Sequence, residues 1–212
     1  MKKLIQIILA LVIAALVYVI YMQISTPIRF ENEQKAREKV VIEHLKDIRT
    51  AQRQFKSKYQ RFTADFDTLI TFVLTETMDG ERKIVDEDDS VAMAQAKRKY
   101  GKKFKNVEKF TYSVKDSMFK HLTREQVANL RYVPFTNNQT QFLLDAGSLM
   151  TESKVVIPVV ECKAPYISFL DTVVYRQEII NLVDNCLNNL DRYPGLKFGS
   201  MEGGNNEAGN WE

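Results

Sequence analysis

The chain has 212 residues, 45% of them apolar and 27% charged, a size that fits one domain with an appendage and a composition that excludes disordered and collagenous chains. Thirty Lys and Arg stand against 27 Asp and Glu, a net charge of only +3, so no chain-wide nucleic-acid footprint and no nucleic-acid partner is expected. Two Cys and two His exclude a disulfide-dense scaffold and a four-Cys zinc site, and eight Gly, five of them in the last 18 residues, leave no glycine-rich phosphate loop in the body of the chain. Neither a metal nor a cofactor is expected.

From Leu4 to Ile24 there is no charge. Twenty-one residues at ~1.5 Å rise span ~31 Å, the hydrocarbon thickness of a bilayer. The exit Val19-Ile20-Tyr21-Met22-Gln23-Ile24 holds no small-x-small cleavage site, and a signal peptide's apolar region is shorter, roughly 7–15 residues. Residues 1–24 are therefore expected to be an uncleaved transmembrane anchor. Lys2 and Lys3 hold the short end inside; Arg29, Lys35, Arg37 and Lys39 past the other end are interspersed with Glu31, Glu33 and Glu38, and long domains translocate largely regardless of charge. The expectation is a single-pass protein of the inner (cytoplasmic) membrane, N-terminus inside, with residues 25–212 extracytoplasmic and Tyr18 and Tyr21 in the outer interfacial belt.

Pro27 is expected to interrupt the helix, since it lacks a donor and restricts Thr26. From Ile28 to about Tyr59 there is no Gly or Pro, and Val41, Leu45, Ile48, Gln52, Phe55, Tyr59 and Phe62 recur at spacings of four and three. That is one stripe on an amphipathic helix over 25–62. A core-facing role is preferred to a coiled-coil seam, because Gln52 interrupts the stripe and the repeat covers barely three heptads. Residues 65–70 open a short second helix, capped by Thr63 or Asp65.

An apolar helix running into an amphipathic one, followed by Ala51-Gln52-Arg53-Gln54-Phe55, Tyr59-Gln60-Arg61-Phe62-Thr63 and a short Asp-Leu helix, resembles the type IV pilin and type II secretion pseudopilin family over about residues 1–75. The resemblance implies an α+β fold in which the long helix packs on an antiparallel sheet, and assembly through the apolar helices. Members of that family have a Gly at the end of a basic leader and a Glu early in the apolar helix; here the first Gly is Gly80 and the first acidic residue is Glu31, with Gln6 the polar residue in the corresponding region.

Residues 79–89 hold six acidic residues and read as a solvated linker turning at Gly80; a calcium loop on Asp86, Asp88 and Ser90 is the alternative, without its usual Gly and distal Glu. Residues 97–109 hold seven basic residues and read as a solvated helix face rather than a nucleic-acid or anionic-lipid patch. Alternation at Phe110, Tyr112 and Val114 predicts a half-buried strand; Arg131–Thr136, Thr140–Ala146, Lys154–Glu161 and Tyr166–Leu170 are further strands, bounded by Asn137-Asn138, Gly147-Ser148 and Pro165, in an antiparallel sheet. Thr123–Val127 reads as a capped helical turn. A helix over Tyr175–Leu190 buries Ile179, Val183, Cys186 and Leu190 and ends at Pro194-Gly195. The domain thus runs 63–198, and the tail 199–212, rich in Gly and Asn, reads as loop or disorder, with Trp211 either free or docked on the domain.

Neither His44 nor His121 has a sequence-local partner marking a triad, and no nucleophile elbow, zinc-binding His pair or dinucleotide fingerprint is present. Glu161 and Asp171 are a conceivable carboxylate couple, set against ordinary solvation at strand ends. Cys162 and Cys186 are expected to be separate buried thiols. Asp67-Thr68-Leu69, Asp89-Ser90-Val91, Asp116-Ser117-Met118 and Asp171-Thr172-Val173 resemble short acceptor sites for envelope O-glycosylation. The expected function is non-catalytic: a pseudopilin-like structural subunit of an envelope secretion or pilus-type machine, partnered by the bilayer and by copies of itself or other envelope assembly proteins. Gln6, Val41, Leu45, Ile48, Gln52 and Phe55 form the expected self-association face. The alternative is a stationary scaffold or binding module pairing with a partner membrane protein.

Overall fold

One helix, α1 (Lys2–Tyr59), runs 58 residues through Pro27 in the computed structural model, which describes residues 2–86, 88–101 and 104–212. The expected break at Pro27 does not occur. Proline there removes the donor to the Gln23 carbonyl, a defect of about 3 kcal/mol in a helix interior, but strong helix formers on both sides carry the helix through. Thr26 Oγ1 also donates to the Met22 carbonyl one turn back, at 2.8 Å. The anchor and the amphipathic segment are two environments along one rod.

The second half of α1 is the spine of an α+β head. Val41, Leu45, Ile48 and Gln52 are fully buried, and Phe55 and Phe62 nearly so, whereas Tyr59 stays exposed. The spacing of four and three puts these side chains on one face, and each apolar one stabilises the fold by roughly 1.5–3 kcal/mol on burial. Phe55 meets Phe72 of α2 (Phe66–Thr75) edge-on at 5.2 Å. Asp65 is the cap of α2: its carboxylate accepts from the Asp67 and Thr68 amides, while Thr63 accepts from the Asp65 amide.

The acidic run is not a simple linker. Its first part belongs to β1 (Thr77–Arg82), which pairs antiparallel with β2 (Glu108–Ser113) in a register from Thr77↔Ser113 to Arg82↔Glu108. Gly80 is a strand residue opposite Phe110, whose ring lies where a Cβ would be, 2.7 Å away. Phe110 itself is 43% exposed, so β2 is less buried than its alternation predicts. Asp89 caps α3 (Ser90–Tyr100) through the Val91 and Ala92 amides. Lys97, Arg98 and Lys99 occupy the last turn of α3, where cations complement the helix dipole; Lys102 and Lys103 of the basic segment lie outside the described residues. Two short helices follow, α4 (Val114–Met118) and α5 (Arg124–Ala128), the latter with the expected reciprocal cap between Thr123 and Gln126.

The second sheet has the antiparallel order β3 (Leu143–Met150), β4 (Val156–Pro165), β5 (Gly195–Gly199). It departs from expectation in several places. Arg131–Thr136 is a turn held by a single Tyr132↔Gln141 bridge, because Pro134 has no donor and Phe135, Asn137 and Asn138 all take positive φ. Gly147 and Ser148 do not end a strand; they lie inside β3 opposite Val159 and Pro158. Tyr166–Leu170 is not a strand but begins with one helical turn, α6 (Tyr166–Phe169), after Pro165. Helix α7 (Arg176–Asp184) buries Ile179 and passes into a π-helical turn, Asn185–Asn189, that buries Cys186; Leu190, expected in the stripe, is 49% exposed. Gly195 opens β5 instead of closing a helix.

The tail is folded. Gly199, at φ +76°, bends the chain where any Cβ would lie 1.9 Å from the Val160 carbonyl oxygen. The chain then returns to bridge Phe198 with Gly209. Asn210 seals the return, its side chain donating to the Gly195 carbonyl and accepting from the Lys197 amide.

Candidate membrane span and assembly face

The described residues of the first part of α1 are bare. Its most apolar 18-residue stretch has a mean hydropathy of 2.7 and none of it is buried. Leu11 is 66% and Val17 61% exposed, and Tyr18 and Tyr21 are equally bare. A contiguous apolar surface of this extent is far larger than a soluble monomer tolerates. The helix is long and apolar enough to cross a membrane once, and fits a transmembrane or signal anchor. Gln6 lies exposed upon it.

The rest of the expected self-association face is elsewhere. Val41, Leu45, Ile48, Gln52 and Phe55 lie inside the chain's own core, so they are not available to a partner. The periodicity that marks a docking seam marks a core face equally well, and the head's own helices and sheet take up the stripe. Gln52 is a clamp: its Nε2 donates to the Thr63 carbonyl at 2.6 Å and its Oε1 accepts from the Thr63 amide at 3.2 Å. The polar gap in the stripe thus ties α1 to the turn before α2.

The other candidate groups are separate and committed to local partners. Glu161 sits on β4, buried between Lys163 (2.6 Å) and Lys197 (3.0 Å). Burial opposes its charge, but hydrogen bonds from the two ammonium groups prevail and hold its carboxyl below the ordinary 4.5. Asp171 accepts from the Val173 and Val174 amides, both at 3.0 Å, which keep its carboxyl low. One is neutralised within the sheet and the other stabilises a turn, so no acid–base couple forms between them.

The histidines sit near one another. His121 Nε2 lies 3.1 Å from Asp47 Oδ1, whose carboxyl is raised by burial against the pull of His121. His44 is one turn before Asp47 on α1, its Nδ1 buried without a hydrogen-bond partner, and burial lowers its basicity. Among the described residues no group of three His, Cys, Asp or Glu side chains is placed to hold a metal. In the candidate calcium loop, Asp86 Oδ1 accepts from the Asp88 amide at 3.4 Å and Ser90 begins α3. Cys162 and Cys186 are unpaired thiols, both made less acidic by burial.

The four Asp-Ser/Thr pairs lie at turns and helix starts, and all four hydroxyl residues are exposed. Asp89 and Asp171 are explained locally by the amides they accept from.

A cluster outside the sequence reading fastens the tail. Arg53 (3.1 Å) and Lys56 (3.4 Å) on α1 pair with the buried Glu207; Arg49 pairs with Glu212 at 2.6 Å and lies over the Trp211 ring at 5.9 Å. Trp211 is therefore docked. The i, i+4 spacing of Arg49 and Arg53 was the available signal, a cationic row beside the apolar stripe. A cleft of about 280 Å³ between the tail and β4 is lined by Lys56, Val160 and Glu207 among others, and its charged groups are those already paired. No protein family, curated protein or solved structure matches the chain.

Proposed function

We propose that the chain is a membrane-anchored, non-catalytic structural subunit of an envelope secretion or pilus-type assembly, built on a pilin-like plan. It spans the inner membrane once, N-terminus inside, and carries its head outside the cytoplasm. The observation that supports this reading is the division of labour along α1: a bare apolar first part, continuous in one helix with a second part that forms the spine of an α+β head. A rod of this kind couples lateral association in the bilayer to the arrangement of the heads.

The absence of any acidic residue before Glu31 favours a second reading, a stationary scaffold paired with another membrane protein. Gln6 offers a neutral amide, and a charge-assisted contact is roughly twice as strong. Single cysteines placed along residues 4–24 and crosslinked in native membranes separate the two, since both native thiols are buried. Adduct ladders of this chain beyond the dimer support the assembly subunit. Adducts confined to a different protein reject it in favour of the scaffold.

A further inference from the structure

The part of the head nearest the bare end of α1 is the turn between α6 and α7. Arg37 donates to the Phe169 carbonyl at 2.7 Å, and the Phe30 ring packs on Tyr175 with centroids 5.4 Å apart. Between these contacts the chain descends α1 by about two turns. Helix α7 then climbs back, for Cys186 and Tyr166 both lie beside Glu38. Residues 171–175 are thus the lowest point of the head.

Phe30 is six residues past Ile24, about 9 Å along the helix. The headgroup layer extends roughly 5–8 Å beyond each side of the hydrocarbon core, so the turn stands at its outer boundary. What the turn displays there is apolar. Val173 is 89% exposed, the highest value among the large apolar side chains, and Val174 is 64% exposed. Single exposed apolar residues need no explanation, but these two are adjacent and fixed, both amides being held by Asp171 Oδ1. Arg29 and Arg176 are exposed at the same level, where cations meet lipid phosphates.

We propose that this turn is a second membrane contact: with α1 inclined toward the head within the range spanning helices adopt, Val173 and Val174 enter the headgroup layer of the bilayer that α1 crosses, and so fix the head's orientation on that membrane. The inference rests on the reading of residues 4–24 as a membrane span. The occupant is lipid rather than protein because the Phe30–Tyr175 contact ties the turn to α1 within about 9 Å of the end of the span, between the exposed cations Arg29 and Arg176.

The test uses the full-length chain in phosphatidylcholine–phosphatidylglycerol vesicles, spin-labelled singly at Val173→Cys, Ile13→Cys or Met150→Cys. Met150 is the aqueous control, paired with Val156 at the end of the sheet that approaches Lys56, far along α1. Collision rates with oxygen and with a water-soluble nickel chelate report depth. A probe at 173 held in the headgroup layer should show an oxygen-to-nickel ratio about twofold above that at 150, and the double substitution Val173→Asp, Val174→Asp should increase nickel access to a probe at Thr172→Cys, which is exposed beside the two valines. A ratio at 173 equal to that at 150, with 13 in lipid, overturns the inference and leaves the span intact. Water access at 13 overturns the span itself.

Discussion

Along α1, the Ile, Leu and Val side chains of residues 5–24 are 49–66% exposed, while Val41, Leu45 and Ile48 are at 0%. Both stretches are helical and both are rich in aliphatic residues. The difference lies in distribution around the axis: the first is apolar on every side and finds no complementary surface within its own chain, whereas the second confines its apolar residues to one stripe that the head covers. Pattern, more than hydrophobicity, decides which part of the helix becomes core.

The largest expected effect sharpens that contrast. Phe55→Ala should destabilise the head by about 3–5 kcal/mol and Ile48→Ala by about 2–5 kcal/mol, read from denaturant midpoints of the full chain in detergent. Ile13→Ala should leave the same midpoint unmoved. An equal loss from Ile13→Ala would mean that the bare half contributes to the fold of the head after all.

Next comes Glu161, the buried charge of the sheet. Glu161→Gln leaves Lys163 and Lys197 without their carboxylate and should remove about 2 kcal/mol at neutral pH, less than a fully buried pair would lose because both ammonium groups keep part of their hydration. Because its carboxyl is held below 4.5 in the folded state, its contribution is complete above about pH 4.5 and is lost as the pH falls through the lowered folded value. Urea titrations across this acid range should therefore show a shallower decline for Glu161→Gln than for the parent chain. Parallel declines would remove Glu161 from the acid response.

Gln52→Leu tests whether the polar member of the stripe belongs to the core by geometry. The leucine fills the space but abandons the Thr63 amide and carbonyl, so a loss of about 2 kcal/mol is expected. A stabilising substitution would show that hydrophobic content outweighs the clamp. The smallest expected effect is that of Asp65→Ala, a slight lowering of the same midpoint on removal of the α2 cap.

Local rules made α1's stripe, the Asp65 cap and the Thr123–Gln126 box legible in the sequence, because each depends on neighbours within one or two turns. Pro27 was misread because its helix-breaking tendency was outweighed by cooperative helix on both sides. Tyr166–Leu170 has aromatic and branched residues that read as a strand, yet the place beside β4 is taken by Gly195–Gly199, a segment whose two glycines disguised it. The tail's Gly and Asn composition likewise hid an order that depends on Arg49, Arg53 and Lys56, about 150 residues earlier. As for the candidate assembly face, Gln6 was placed on the exposed helix, but the other five residues could not be assigned by periodicity, which does not say whose surface a stripe will meet.

The unbroken passage of α1 through Pro27 has a mechanical consequence. From Ile24 to Tyr59 the helix extends about 50 Å, so a change of about 10° in the inclination of the first part displaces the far end by about 9 Å, an inclination well within the range helices adopt in bilayers. The one missing backbone bond, at Gln23, lies near the fulcrum, where a small bend has the longest arm. The C-terminal residues, fastened to Arg49 and Arg53, ride near the other end of that arm, so thinning or thickening of a membrane at one end of the molecule would be felt as a sideways excursion at the other.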